Sequence, residues 1–312
     1  MPKVLVTGIN GFAGTHLNNL LLNLGYEVFG TVKPGKEVHG DSHMFPVDIQ
    51  DFEAVKNAVE NAEPSQIYHL AALTSPAESF KNPSKTITNN ISGQLNILEA
   101  VKQLGFLETK VLVVSSAEVY GAAEEKDLPL TERSPLRPLS PYAVSKIAQD
   151  FLGYQYFHSQ GVKTIIVRPF NNIGPHQNPF FAIPSFAKQI AEIEKGHKEP
   201  ILNVGNLEAK RDFTDVRDTV RAYEMLMNKG EFGEVYNIGS GHVKQIQQVL
   251  DILLSHSTAN IVVEKDPALM RPGDIPELRC DYDKLHKATG WKPEVSIEDS
   301  LKDTLDYWRN IV

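Results

Sequence analysis

Short apolar runs alternate with amphipathic stretches through the first half of the chain, and this alternation restricts the fold more than any other feature. Residues 3–7 (Lys-Val-Leu-Val-Thr) read as a buried strand closed by Gly8. Residues 15–24 read as a helix, with Leu17, Leu20, Leu21 and Leu24 on one face at spacings of three and four. Gly25 is placed to stop it. The pattern continues with a strand at 27–32, a helix at 54–61, a strand at 66–70 and a long helix at 90–104. A strand at 110–115, a helix at 142–159 and a strand at 164–167 complete it. Strands that alternate with helices need crossover connections. The fold class is therefore α/β, a doubly wound parallel sheet with helices on both faces.

The pattern loosens after Arg168. Residues 171–182 carry four Asn or Gln, two Pro and one Gly, and read as a loop. Beyond them come a helix near 183–195, a strand at 200–203, helices at 215–228 and 245–254, and a strand at 260–264. Residues 266–276 contain three prolines and cannot form one helix. A smaller second domain is expected mainly after residue 170, over the carboxyl ends of the strands, where open α/β sheets bind ligands.

Composition removes several classes. A chain of 312 residues has room for two domains or one large unit and buries enough surface to need no metal or disulfide staple. Its single Cys280 can neither pair within the chain nor join a cysteine-based zinc cluster, and no metal is expected. A net charge of −8 argues against a general nucleic-acid binder. No apolar run reaches the roughly 18 residues that span a bilayer, and residues 1–8 pass straight into a strand pattern with no visible signal peptide. A cytoplasmic protein without membrane or nucleic-acid partners is expected.

Three groups of residues carry chemistry. Gly8, Gly11 and Gly14 lie between the first strand and the first helix, spaced G-x-x-G-x-x-G. Such a turn brings backbone N–H groups at a helix N-terminus close to a pyrophosphate. At the end of the second strand an NAD site wants an acid for the ribose 2′-hydroxyl, but residues 28–36 contain none and offer Lys33 and Lys36. A cation there favours a 2′-phosphate, hence NADP(H), with NAD(H) still open. Asp48 and Ile49 would sit by the adenine, and Leu70, Ala71 and Ala72 are small enough to let a cofactor lie close. Tyr142 and Lys146 form Tyr-x-x-x-Lys, one helical turn apart on one face. An ammonium ion near the phenol is expected to lower the Tyr142 pKa and make it a usable acid near neutral pH. Ser115-Ser116, at the end of a strand, adds a hydroxyl able to hold a substrate oxygen.

The set Thr7-Gly8-x-x-Gly11-x-x-Gly14, Ala71-Ala72, Ser115-Ser116-Ala117-Glu118-Val119-Tyr120-Gly121, Tyr142-x-x-x-Lys146 and Arg168-Pro169-Phe170-Asn171 resembles the extended short-chain dehydrogenase/reductases over essentially the whole chain. The resemblance implies a Rossmann-type NADP-binding domain at 1–170, to which parts of 211–240 return, and a nucleotide-sugar domain mainly at 171–312. It maps the catalytic serine, tyrosine and lysine onto Ser116, Tyr142 and Lys146. It places the cofactor on Gly8, Gly11, Phe12, Ala13, Gly14, Lys33, Asp48, Ile49, Leu70, Ala71, Ala72, Asn90, Tyr142, Lys146 and Arg168. The sugar nucleotide falls to Thr74, Ser75, Glu118, Asn171, Lys188, Arg211 and Arg271.

The second half narrows the resemblance. Residues 206–213 and the Arg271-Pro-Gly-Asp-Ile-Pro segment resemble those that carry two diphosphate-binding arginines, here Arg211 and Arg271. Together with Thr289-Gly-Trp-Lys-Pro they look most like GDP-4-keto-6-deoxy-D-mannose reductases; Trp291 itself reads as a core anchor. That implies NADPH-dependent reduction of the C4 keto group to GDP-D-rhamnose, with the 4-epimeric 6-deoxy-talose product open. Glu118 keeps a second reading. In related 4,6-dehydratases this position is a base at sugar C5, and the preceding residue, here Ala117, is often an Asp, although dehydratases acting on GDP-mannose also lack that Asp. A 4-epimerase of the same fold is a further alternative. The helices at 90–104 and 142–159 resemble those that pair into a four-helix dimer interface, so a homodimer is expected.

Overall fold

A computed structural model describes residues 1–35, 43–270 and 275–312. The first half runs β1 (Lys3–Thr7), α1 (Phe12–Asn23), β2 (Glu27–Val32), β3 (His43–Pro46), α2 (Phe52–Ala62), β4 (Gln66–His69), α3 (Pro76–Lys81), α4 (Pro83–Gln103), β5 (Lys110–Val114), α5 (Pro141–Gln160) and β6 (Lys163–Pro169). The second half runs β7 (Asn171–Ile173), α6 (Ala182–Glu194), β8 (Ile201–Val204), β9 (Lys210–Asp215), α7 (Val216–Lys229), β10 (Val235–Ile238), β11 (Val243–Gln245) and α8 (Ile246–Ser255). It ends with β12 (Val262–Lys265), β13 (Glu277–Leu278), α9 (Asp283–Thr289) and α10 (Ile297–Ile311).

Seven strands form one sheet in the order β10-β6-β5-β4-β1-β2-β3, every neighbouring pair parallel. Strands β1 and β5 are covered on both faces, which is why their centres read as unbroken apolar runs rather than alternating ones; β4 is buried along its whole length too, with Gln66 and His69 at its ends. One face packs Leu17 and Leu21 of α1 with Val220 and Leu226 of α7. The other packs Val55 and Val59 of α2, Ile97 and Val101 of α4, and Tyr156 of α5. The edge strand β10 pairs with β6 although more than sixty residues separate them. A separate core joins α6, α8 and α10 through Phe186, Ile190, Leu250, Leu253, Leu305 and Trp308.

The long helix expected from residue 90 begins seven residues earlier. Pro83 stands in its first turn, where a missing N–H costs nothing, and the polar stretch Ser84–Asn90 hides the start from an apolar count. The expected loop at 171–182 opens with β7, paired in parallel with β9 from Asn171↔Phe213 to Ile173↔Asp215. Both strands are polar in sequence, so neither shows an apolar pattern. The short helix α3 also has no counterpart in the apolar pattern; Ser75 caps it and Pro76 starts it.

The core reading of Trp291 holds. The indole is fully buried, lies edge-on to Tyr282 at 5.5 Å and donates from Nε1 to the Asp218 carbonyl at 3.0 Å. The Asp218 carboxylate accepts from Glu294 and Val295 N–H at 2.8 and 2.9 Å. One residue of α7 thus ties the 291–295 strap to the core beside the sheet. Trp291→Ala removes that anchor and is expected to cost about 3–5 kcal/mol, read as a lower midpoint in denaturant unfolding.

Candidate functional site

The site is assembled at the carboxyl edge of the sheet. After β1 the chain turns at Gly8, whose φ of +69° lies in the left-handed region. The Gly8 and Ile9 N–H groups both donate to the Thr31 carbonyl of β2, at 3.0 and 3.3 Å. A Cβ on Gly14 would stand 2.3 Å from the Gly8 carbonyl oxygen, so only glycine lets α1 approach the turn this closely. Helix α1 opens on Gly11 with no side chain to cap it, whereas Asp51, Ser75 and Ser140 cap α2, α3 and α5. Its first-turn N–H groups are left to face an anion.

Opposite this turn stands α5. Ser140 accepts from Ala143 N–H at 3.1 Å and fixes the start of the helix, which places Tyr142 and Lys146 one turn apart. Tyr142 and Ser116 face the same cleft, close enough for the Ser116 side chain to act on the phenol, and Ser116 Oγ accepts from Glu118 N–H at 3.2 Å. Lys146 Nζ lies 5.8 Å from the Tyr142 ring centroid and donates to the Val114 carbonyl at 2.8 Å. Burial pushes the Tyr142 phenol well above its ordinary range; the neighbouring Ser116 side chain opposes this and the Glu118 charge adds to it. This corrects the expectation of a lowered phenol. Burial also pulls the Lys146 ammonium down to about 7, so the cation that was to stabilise a phenolate is itself disfavoured. Tyr142 is therefore a neutral phenol in the free protein, ready to donate a proton rather than to take one. His69, beneath, is held neutral with its pKa down to about 3, first by burial and then by the Lys146 charge.

Between turn and helix lies a cleft of about 380 Å³. The structure brings together there Gly8, Gly11, Phe12, Ala13, Gly14, Leu70, Ala72, Thr74, Ser116, Glu118, Tyr142, Lys146 and Asn171. An adjoining cavity of about 310 Å³ holds Arg211, and Asn171, Asn172, Gln177 and Phe181 line both. Arg211 is buried on β9 and donates to the Lys210 carbonyl at 2.9 Å.

Other expected contacts fall elsewhere. Arg168, expected at the cofactor, turns into the core, where Nε meets Asp150 at 2.7 Å and Nη1 donates to Tyr120 Oη and the Glu132 carbonyl. Asn90 is fully buried. It accepts from Leu73 N–H at 2.8 Å and donates to the Leu73 carbonyl and Ser145 Oγ, so it holds the cleft wall rather than a ligand. Ile49 packs in the core beneath Gly93, and the neighbouring Asp48 accepts from Gln50 N–H. Ala71 closes on Gly8 from below, with Cα 3.1 Å from where a Gly8 Cβ would stand. Ser75 is spent capping α3. Lys188 pairs with Glu192 and lies over Trp308, away from both cavities. Lys33 is exposed just past β2. Lys36 and Arg271 lie outside the described residues.

Sequence reasoning missed Asn172, Gln177, Phe181 and Tyr223, all at the cleft. The cluster of Asn and Gln at 171–178 is visible as a loop, but only pairing of β7 with β9 turns it into the cleft. Tyr223 is hidden as one apolar position of α7; its buried phenol lines the cleft beside Asn172 and lies within electrostatic reach of Tyr142.

A doubly wound parallel sheet, a glycine turn at its first crossover and a Ser–Tyr–Lys set define a short-chain dehydrogenase/reductase. Residues 5–304 match the family model described as GDP-mannose 4,6 dehydratase, and the chain belongs to that family. It is 35% identical to the GDP-6-deoxy-D-mannose reductase of Pseudomonas aeruginosa, over 99% of this chain and 98% of that protein. The solved structure of RMD from P. aeruginosa complexed with NADPH superposes with a TM-score of 0.86 at 34% identity, covering 99% of this chain and all of that one. UDP-glucose 4-epimerase of Thermus thermophilus, in complex with NAD, gives a TM-score of 0.88 at 31% identity, with 99% of both chains covered.

The folded-state value of Lys146 lies below that of an unfolded lysine, so its charged form destabilises the fold in full below about pH 7. The penalty fades as pH rises from there toward the ordinary 10.5. Lys146→Met is expected to raise the midpoint of thermal unfolding of the free protein, most at the acid end of that window and least at its alkaline end.

Proposed function

We propose that this chain reduces the C4 keto group of GDP-4-dehydro-6-deoxy-D-mannose, with NADPH as the reductant, to give GDP-D-rhamnose. The observation that carries the reading is the convergence of Ser116, Tyr142 and Lys146 on one cleft with the glycine turn, in a chain similar along its whole length to a GDP-6-deoxy-D-mannose reductase.

The residues fit a dinucleotide. Gly8 and Gly11 bring bare backbone to the cleft wall beside the uncapped first turn of α1, which suits a pyrophosphate. Lys33, past β2, is the cation we assign to the 2′-phosphate. When bound, the nicotinamide supplies the hydride. Tyr142 gives its proton to the oxygen that becomes the C4 hydroxyl, and Ser116 hydrogen-bonds the same oxygen as charge develops. Lys146, charged once a ligand and its hydroxyls replace part of the lost hydration, holds the ribose and stabilises the phenolate until it is reprotonated. Arg211 holds the diphosphate, with Arg271 as its partner. Residues 1–170, with α7 and β10, form the cofactor unit in this reading, and the remainder forms the nucleotide-sugar unit.

Glu118 at the cleft supports a second reading, a 4,6-dehydratase that returns its hydride to the sugar within each turnover. Loss of NADPH absorbance separates the two. One NADPH oxidised per 4-keto sugar consumed is expected; turnover of GDP-mannose without net NADPH loss would sink the reductase. Tyr142→Phe keeps the ring and loses the proton, and its reduction rate should fall at least about a hundredfold.

A homodimer in the cytoplasm completes the proposal. Val144, Phe151 and Tyr154 on α5 and Leu95 on α4 are exposed apolar side chains on one helix pair. No helix among the described residues is long and apolar enough to cross a membrane. Light scattering should give twice the chain mass, and Phe151→Glu should shift it to the monomer.

A further inference from the structure

Gln177 stands where the two cavities meet and lines both. It is 8% exposed. Its Nε2 donates to the Asn172 carbonyl at 2.8 Å, while its Oε1 is buried without a partner. A carbonyl accepts and never donates, so the amide nitrogen must face Asn172, and the oxygen is the group left over. A buried acceptor with no donor is a cost that native proteins rarely leave unexplained. The surroundings keep it in place. Asn172 is held through its side chain by Thr219 Oγ1 at 2.8 Å. His176, next to Gln177, is locked at a φ of +70°, a conformation non-glycine residues seldom adopt.

We infer that Gln177 reads the substrate: its Oε1 accepts a hydrogen bond from a hydroxyl of the hexose. This rests on the reductase reading above. Of the two ligands, only the sugar nucleotide must reach from Tyr142 in one cavity to Arg211 in the other, and so pass Gln177. An amide oxygen cannot bind the keto oxygen or the phosphates, which are themselves acceptors. A 4-keto-6-deoxyhexose bound through its anomeric oxygen has just two hydroxyls, at C2 and C3. Gripping one of them fixes the rotation of the ring about the line from Tyr142 to Arg211. That rotation decides which face of C4 meets the hydride, so Gln177 acts as a positioning and specificity residue.

The test is a cycle between protein and substrate. Gln177→Met keeps the length of the side chain and removes the acceptor. With the natural 4-keto sugar nucleotide, kcat/KM for NADPH oxidation is expected to fall about 10- to 100-fold. On the wild-type protein, either the 2-deoxy or the 3-deoxy analogue should lose a similar factor, and that analogue should lose little more on Gln177→Met. NADPH affinity without sugar should be unchanged. Equal rates for both analogues and the natural sugar on the wild type would overturn the proposal, and they do so even if the variant fails to fold. Additive losses in the cycle would overturn it too, as would a loss confined to NADPH binding, which would make the cofactor amide the donor. Absence of NADPH oxidation by the wild-type protein would instead sink the reductase reading itself, and this inference with it.

Discussion

A parallel sheet must be covered on both faces, and in this protein that requirement settles nearly everything else. Helices occupy both faces, so every ligand-facing loop is pushed to the carboxyl edge of the strands. The glycine turn, the Ser115-Ser116 end of β5 and the Asn171-Asn172 segment after β6 meet there because their strands are neighbours or near neighbours in one sheet. Strand β10 and helix α7 return from the second half to complete that cover, and the two halves cannot separate without exposing it.

Helix α5 is fixed by a second device, a polar seam between it and α4. Asn90 meets Ser145 at 2.9 Å, Gln94 meets Gln149 at 3.3 Å, and Glu99 meets Tyr156 at 2.5 Å. Hydrogen bonds between buried and half-buried groups define one register where an apolar face would allow several. Tyr142 and Lys146 ride on that register. The Arg168–Asp150 pair belongs to the same logic. Burial raises the Asp150 carboxyl, while the guanidinium opposes it, and Ser115 at the end of β5 completes the contact. A buried pair of this kind adds little net stability but holds its neighbours in one arrangement.

Burial rather than sequence distance sets the chemistry of the site. Tyr142 and Lys146 are four residues apart, and a solvated ammonium so placed would lower a phenol. In the closed packing of α5 both charged forms are disfavoured together, and the pair waits as neutral phenol and weakened cation until a ligand changes the surroundings. Under the proposed reduction, that starting state suits donation of a proton to a new alkoxide.

Features encoded at short range are legible in the unfolded chain. The alternation of apolar runs with helical faces leads to the doubly wound sheet. Gly8, Gly11 and Gly14 mark the turn between β1 and α1, and Tyr142 with Lys146 marks the start of α5, because each signal lies within a turn or two of chain. Residues whose partners are remote take their roles only from the folded arrangement. Arg168 looks like a cofactor contact until Asp150 and Tyr120 close on it, and Asn90 until Leu73 and Ser145 do. Gln177 is one polar residue in a loop until β7 pairs with the distant β9 and draws it between the two cavities. Burial and hydrogen-bond partners depend on contacts the chain makes only after it has folded, and no local period records them.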